Sequence, residues 1–497
     1  MEETEIAFKA YVKKASSGGT GFIAIPDYLS TDFDVGDSVR VVIEYGGGVE
    51  YYTNLREWRG RGVYVPKDIA NRHQMCQNTY KVRIHLVEGF HAKVGGDGRV
   101  YLPNKKAAQL DLRYKIVKVE SEIEGETETV YKPVTFRDRG NTEEYKIAFN
   151  CEYAGKEGLF RIKEVFEPST EREELNQDML DVLESFDWIV CGDTVRVFDG
   201  NKASVAMAKD LDLEDLSYYL GAYFADGTKR GNSWGIVAST FAQARFYKSC
   251  HFNIFRDIDI NTDLTYTFHP STRIDKEALK EKWKDEAGVE VRSVQEIETE
   301  TEGARNRNKH GALYFREHKG LVRDIYTRML SVLVERVVEE RNEDMAWDFI
   351  LGVMEGDGAP ESSSRGCIQI STNFEELDML VNIFKVLGLK HEGYEEESNN
   401  YSLRVGSLEL ICNLSYIGDR LFNLYPKRRR RTIKRLLDTG AARYILGRQQ
   451  TTAGWVKARL NEEGILDNDY KLTKKGLKVR KTLKEMCEER GNVSNTG

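Results

Sequence analysis

Through residues 1–160 the apolar positions fall in short runs separated by turn residues, a pattern of strands rather than helices. Three segments there repeat one design: GFIAIPDYL (Gly21 to Leu29), GVYVPKDIA (Gly62 to Ala70) and GRVYLPNKKA (Gly98 to Ala107). Each joins a glycine, an apolar strand and a proline, with Pro26, Pro66 and Pro103 separated by 40 and 37 residues. A valine-rich strand follows each one: SVRVVIEY, YKVRIHLVE and YKIVKVE. Tandem β-units have such a period. Residues 161–205 form an acidic connector, with Thr170 and Glu173 as a capping box.

From 206 to 431 helical and strand periods mix. Trp234–Thr240, Leu264–Pro270 and Ala312–His318 have the pattern of strands, and Leu321–Val337 that of a helix. The order recurs further on. Cys367–Thr372 and Tyr401–Ser407 are predicted strands, Phe374–Leu389 a helix ending near Gly388, and Leu408–Gly418 another helix. The result is an α-β-β-α pattern present twice. In 432–497, helices are predicted over Ala441–Gln450 and over Thr451–Leu466, the latter capped by Thr451 or Thr452 with Trp455, Val456, Leu460 and Leu466 on its apolar face. Tyr470–Leu483 then supplies a short strand, a basic turn and a helix. The pattern is that of a multidomain α+β chain with a β-rich N-terminal domain, a duplicated central core and a C-terminal helical segment.

Two segments stand out, YLGAYFADG (Tyr219 to Gly227) and ILGVMEGDG (Ile350 to Gly358). Glycine inside a helix costs about 1 kcal/mol against alanine, so Gly221 and Gly352 need a reason. Gly221 with Ala225, and Gly352 with Gly356, make a bare stripe on each helix, because positions four apart stack. Two such stripes let helix backbones pack closely. That packing would set Asp226 beside Asp357, with Gly227 and Gly358 in the left-handed position that ends a helix. Two carboxylates at the negative ends of two helices repel each other and the helix dipoles. A divalent cation with oxygen ligands relieves both conflicts, and paired carboxylates holding such ions support metal-assisted phosphodiester hydrolysis.

These two segments resemble the motif of the LAGLIDADG homing endonucleases in their single-chain, two-motif form. The resemblance implies a duplicated αββαββα core whose strands form a saddle along the DNA major groove. It implies that Asp226 and Asp357 hold Mg²⁺, or Mn²⁺ or Ca²⁺ in its place, together with the carbonyls of Ala225 and Gly356. Gly221 and Gly352 fall on the family's helix-packing glycine. Phe224 stands where the family often has another acid, which Glu355 keeps in the second copy. The family also places a basic residue near the metals, and Lys427 and Lys319 are the candidates. The last segment resembles a winged helix-turn-helix, in which Lys457, Arg459, Lys474 and Lys475 would contact DNA, joined by the block Arg428, Arg429, Arg430 and Arg431. The N-terminal repeats resemble an AbrB-like swapped-hairpin barrel, a fold that forms from two half-units and often binds DNA. These last two resemblances imply a β-barrel-like N-terminal domain and a C-terminal winged helix, and pairing of half-units would leave one of the three repeats without a partner.

Composition sharpens this. The net charge of −8 hides an asymmetry: from Lys427 onward there are 19 Lys and Arg against 8 Asp and Glu, leaving −19 on the other 426 residues. A basic tail on an acidic protein points to nucleic acid. Seven cysteines without a CxxC pair argue for a reducing cytosol and against zinc, and the eight histidines, Cys250-His251 included, lack ligand spacing. No apolar run reaches membrane-spanning length, and the N-terminus lacks the order of a signal peptide, so a cytoplasmic location is expected. The chain ends also lack the residues that splicing by an intein needs. The expected partner is double-stranded DNA. The core, with both motifs in one chain, is expected as a monomer, with oligomerisation through the N-terminal region left open. Two functions compete: a metal-dependent DNA endonuclease, and a cleavage-inactive transcription regulator on the same core. A structural protein without a DNA role is a third class.

Overall fold

The computed structural model of the chain describes residues 5–14, 21–26, 29, 37–45, 48–57, 61–86, 88–138, 143–149, 151–200, 202–229, 231–300, 310–356, 359–360, 367–389, 391–395, 400–424 and 426–493. The chain divides into two compact units, one dominated by residues 1–171 and the other by 205–497.

In the first unit, β1 (Glu5–Lys14), β2 (Gly21–Ala24), β3 (Ser38–Glu44), β4 (Val49–Asn54), β5 (Arg56–Glu57), β6 (Arg61–Val65) and β7 (Thr79–Leu86) form one sheet in the order β4-β3-β7-β1-β2-β6-β5. Helix α1 (Lys67–Arg72) lies between β6 and β7. Along β1 exposed and buried positions alternate, sending Ile6, Phe8, Ala10 and Val12 into a core with Ile23, Val41, Val63 and Val82. A second sheet, β8-β13-β10-β11-β12-β9, has its own core around Phe90, Val117, Ile147 and Phe160. Its strands are β8 (Phe90–Lys93), β9 (Arg99–Tyr101), β10 (Ile116–Ile123), β11 (Glu126–Asp138), β12 (Glu143–Ala148) and β13 (Glu157–Phe166), with α2 (Asn104–Gln109) between β9 and β10.

In two repeats the proline stands immediately before a short helix: Pro66 precedes α1 and Pro103 precedes α2. Proline suits that site because its missing N–H would be unpaired there anyway. The first two repeats pair with each other, β2 with β6 and β3 with β7. The third finds a partner that its sequence hides. Strand β12, a 3₁₀ turn at Cys151–Tyr153 and β13 repeat the strand-turn-strand order, with Asn150 where the others have proline. In the second sheet β9 pairs with β12 and β10 with β13, the same pattern as in the first. Four half-units therefore stand in two pairs, and none of the three repeats is left over. The β region also runs to Phe166, six residues past its expected end.

The connector holds α3 (Gln177–Leu183) in the second unit, and the strands β14 (Asp187–Cys191), β15 (Thr194–Phe198) and β16 (Val205–Ala208) follow, with Asp187–Ile189 and Phe198 grouped with the first unit. Asn176, not Thr170, caps α3, accepting from the Met179 amide at 3.0 Å, and the Thr170 hydroxyl donates to the Glu167 carbonyl instead. The expected capping box at Thr170 and Glu173 does not form, because Arg172–Glu174 is a 3₁₀ turn. The first half of the core comprises α4 (Leu213–Asp226), β17 (Trp234–Ala238), α5 (Phe241–Ile254), β18 (Asn261–Phe268), α6 (Lys276–Ala287), β19 (Ser293–Glu298), β20 (Ala312–Glu317) and α7 (Gly320–Glu340). The second comprises α8 (Glu343–Gly356), β21 (Ala359–Pro360), β22 (Cys367–Asn373), α9 (Phe374–Val386), β23 (His391–Glu395), β24 (Asn400–Gly406) and α10 (Ser407–Asn423).

The two halves share a sheet order, β17-β20-β18 against β22-β24-β23. A helix separates the first strand from the later pair in each half, so the α-β-β-α reading missed α5. It also missed α6 and β19, which extend the first sheet by one parallel strand on β18. Helix α9 ends at Val386, and Gly388 follows in the left-handed region at φ 60. The chain finishes with α11 (Pro426–Leu437), α12 (Gly440–Ile445), α13 (Gly454–Glu462) and α14 (Lys474–Val493). No helix among the described residues is long and apolar enough to cross a membrane.

Candidate active site

Asp212 caps α4, accepting from the Asp215 amide at 3.0 Å, and Asn342 caps α8, accepting from Met345 at 3.1 Å. Both helices then run as nearly continuous buried rods, Tyr219 to Phe224 in α4 and Met345 to Glu355 in α8. They pack on each other more extensively than any other helix pair among the described residues.

The contact is reciprocal. A Cβ added to Gly221 would fall on the Phe349 carbonyl oxygen and lie 3.0 Å from the Val353 amide. One added to Gly352 would fall on the Tyr218 carbonyl oxygen and lie 2.8 Å from the Ala222 amide. One added to Gly356 would strike the Ala225 side chain and lie 2.9 Å from Asp226 Oδ2. Each contact partner sits near position i + 131, the spacing of the two aspartates in sequence. The contacts climb both helices together, so the helices run in the same direction and their C-terminal ends meet. Asp226, exposed at the last position of α4, lies beside Gly356, the residue before Asp357. Asp357 and Gly358 lie outside the described residues.

Two helix C-termini and a carboxylate converge there, which makes the potential negative. The donors in reach are hard oxygens, the set that suits Mg²⁺ or Ca²⁺. Glycine at 356 keeps side-chain bulk away from the carboxylate. Among the described residues no three His, Cys, Asp or Glu side chains form a ready-made metal cluster. A cation there would rest on Asp226, Asp357 and the carbonyls of Ala225 and Gly356.

Gly227 departs from expectation. Its φ is −83 and ψ 151, an extended conformation open to any residue. Glycine is needed for a different reason: a Cβ would collide with the Tyr223 carbonyl and ring. The Gly227 amide closes α4 on that carbonyl at 2.7 Å, while the Tyr223 hydroxyl donates to the Thr228 carbonyl at 2.7 Å.

The difference between Phe224 and Glu355 propagates into their surroundings. Glu355 is buried and accepts from Tyr218 Oη at 3.1 Å and Gln243 Nε2 at 2.8 Å. Phe224 offers no such acceptor. The residue matching Gln243 is Glu376, third in α9 as Gln243 is third in α5, and it pairs with Lys229 at 2.5 Å. The Lys229 ammonium also lies 4.3 Å from the Phe224 ring centroid. Lys229, three residues beyond Asp226, escaped the sequence reading, as did Gln243 and Glu376. The signal was present: Thr240-Phe241-Ala242-Gln243 matches Asn373-Phe374-Glu375-Glu376 after a predicted strand in each half.

Lys319 precedes α7, and its ammonium is held by the Asp257 carbonyl at 3.0 Å. No contact described here brings it to Asp226. Lys427 and Arg428 open α11, where their side chains lie outside the described residues. Beneath the α4 end, Tyr219, Tyr223, Trp234, His251 and Tyr326 form a buried aromatic stack. Tyr326 Oη meets Tyr219 Oη at 3.0 Å and His251 Nδ1 at 2.9 Å. Burial pushes the His251 pKa down to about 3, and burial raises Cys250 to about 12. Below pH 6.5 the unfolded chain takes a proton that the folded one refuses until about pH 3. Stability is therefore lost as pH falls through that window, by about 1.4 kcal/mol per unit at its steepest. Urea titrations at pH 7 and 5.5 should show a loss of about 1.3 kcal/mol that His251→Phe abolishes.

The C-terminal segment packs on the core. A Cβ on Gly418 of α10 would lie 3.0 Å from Thr482 Oγ1 of α14, and Arg429 pairs with Glu489 at 2.7 Å. Arg459 is clamped by Glu409 at 2.9 Å, Glu463 at 2.7 Å and Glu462 at 3.5 Å, which raises its pKa. Its charge is taken up inside the protein, so it leaves the set of DNA-contact candidates. Arg430 and Arg431 are exposed on α11. Lys457 lies 5.3 Å from each of the Tyr444 and Tyr470 rings, Lys474 is exposed, and Lys475 faces Glu463 at 3.9 Å.

Other details of this segment differ from the sequence reading. Helix α13 starts at Gly454 after Ala453, without a side-chain cap from Thr451 or Thr452, and Trp455 is 69% exposed instead of packed. The predicted Ala441–Gln450 helix is the shorter α12. Leu466 and Leu472 make a single β-bridge, and Lys474 and Lys475 begin α14 in place of a basic turn.

No protein-family model and no curated protein matches the chain. Among solved structures it is similar to mesophilic variants of the homing endonuclease I-DmoI, at 12% identity and TM-score 0.23, over 46% of this chain and 97% of that one. Structures of I-DmoI with DNA and Mn, and with DNA and Ca, match at 14% identity and TM-score 0.22. These cover 41% and 44% of this chain and 96% and 97% of theirs, respectively. At these TM-scores the likeness transfers no residue or activity to this chain.

Proposed function

We propose that this chain is a DNA endonuclease of the two-motif homing type that hydrolyses phosphodiesters with a divalent cation held by Asp226 and Asp357. One observation carries the reading: interlocked glycine notches bring the C-terminal ends of α4 and α8 together, with Asp226 against Gly356. A carboxylate at that place is unfavourable for a helix, which makes sense where the site binds a positive ion. When bound, the cation would supply Lewis-acid polarisation of the phosphate and a more acidic water. The protein's part is placement. Asp226 holds its side of the site, Glu355 is fixed by Tyr218 and Gln243, and the Lys229–Glu376 pair fills the matching place in the other half. Lys229 joins Lys319 and Lys427 as a candidate basic residue. The exposed cations Arg430, Arg431 and Lys474, with the half-buried Lys457, would add phosphate contacts outside the core.

The rival, a regulator that binds without cutting, draws on the basic C-terminal helices fixed to the core. Supercoiled plasmid carrying random inserts, incubated with the full chain in Mg²⁺ or in EDTA, separates the two. The endonuclease reading expects nicked and linear product in Mg²⁺ alone. Plasmid that is shifted on gels but uncut under both conditions would leave the regulator.

A further inference from the structure

The last helix presents one face to solvent and the other to the core. Val479, Leu483 and Met486 are buried, and Gly476 lies against the Ile465 carbonyl. On the opposite face Lys474, Lys478, Lys481 and Lys484 are exposed, with Leu477 56% exposed among them. At 100° per residue these five side chains fall within about 120° of arc, a single ridge. Ten residues at 1.5 Å carry the ridge about 15 Å. A duplex carries one phosphate per strand for every 3.4 Å of its axis, so the ridge is as long as about four base-pair steps. Among the four lysines an ion pair is described for Lys481 alone, with Glu485 at 3.7 Å, and Glu488 follows at the far end. The ridge is firmly mounted. Thr482 fits the notch at Gly418, Glu489 pairs with Arg429, and the clamp of Arg459 by Glu409 ties α13 to α10.

We infer that this face of α14 is a sequence-independent clamp for the backbone of double-stranded DNA, held in fixed register to the core. This rests on the DNA-binding part of the proposed function. The occupant follows from charge: ammonium groups on flexible stems along one fixed helix face can each reach a phosphate of a duplex. An acidic protein partner is the alternative that the test exposes.

The test is fluorescence anisotropy of the full chain with two unrelated labelled duplexes in EDTA, between about 50 and about 200 mM salt. The clamp predicts that the triple variant Lys478→Gln, Lys481→Gln, Lys484→Gln flattens the log–log salt slope by about 2 to 3. It should weaken both duplexes about 10-fold or more, and by the same factor. Lys280→Gln, Lys282→Gln, Lys284→Gln on α6 removes the same charge elsewhere and should leave the slope intact. Glutamine is a good helix former, so matching thermal melts will show that both variants are folded. If wild type binds steeply and the α14 triple variant does too, the clamp is wrong and the DNA reading stands. An equal loss from the α6 triple variant also overturns it, by showing that net charge and not this face matters. If wild type shows no salt-dependent binding, both the clamp and the DNA reading fall.

Discussion

Gly352→Val is expected to destabilise the core by about 3 kcal/mol or more, the upper range for overpacking. The neighbour at this notch is the Tyr218 carbonyl, part of a helix backbone that cannot rotate aside. Gly352→Ala makes the sharper test because its sign is contested. Helix propensity alone would gain about 1 kcal/mol from alanine, whereas the notch geometry demands a loss. The same holds for Gly221→Ala against the Phe349 carbonyl. At about 2.1 cal/mol/K per residue, a unit of roughly 300 residues loses about 1.5 °C of Tm per kcal/mol, so the valine variant should melt about 5 °C lower or more. Differential scanning calorimetry reads this directly. Alanine variants that melt higher than wild type would show that the helices do not pack through these glycines.

Asp226→Asn is expected to abolish cleavage while strengthening the fold. Losing an outer-shell partner of a metal ligand commonly costs 10- to 100-fold, and losing the ligand itself should cost more than about 100-fold in plasmid cleavage. Asn keeps the shape and removes the charge. It also relieves the clash of a carboxylate with the negative end of α4, worth about 0.3 to 1 kcal/mol. An inactive variant that melts slightly higher in EDTA, and that Mg²⁺ no longer stabilises, is the signature of a site maintained for binding. A variant as active as wild type would remove Asp226 from the chemistry.

How much the sequence disclosed depended on whether a residue's reason was local. The glycines at 221, 352 and 356 were legible because a helix tolerates glycine poorly, and the 131-residue repeat pointed to a pair. Gly227 was legible as a glycine but not in its role, since its constraint comes from the Tyr223 ring and not from its own φ. The fourth β half-unit lacked its proline and could be seen only through strand pairing. Arg459 looked like a DNA contact because its three carboxylate partners come partly from Glu409, 50 positions away. Trp455 was assigned to an apolar face by spacing, yet α13 is too short to bury a whole stripe. Charge position along the chain was readable throughout, and which charges face inward was not.

The account turns on a cation bridging the ends of α4 and α8. Crystals of the full chain with a duplex and Mn²⁺, measured at the manganese edge, test it most directly. The account predicts an anomalous peak within bonding distance, about 2.0 to 2.3 Å, of an Asp226 carboxylate oxygen, between that residue and Asp357. A duplex bound with no manganese at those two residues, or with the metal elsewhere on the protein, would contradict it.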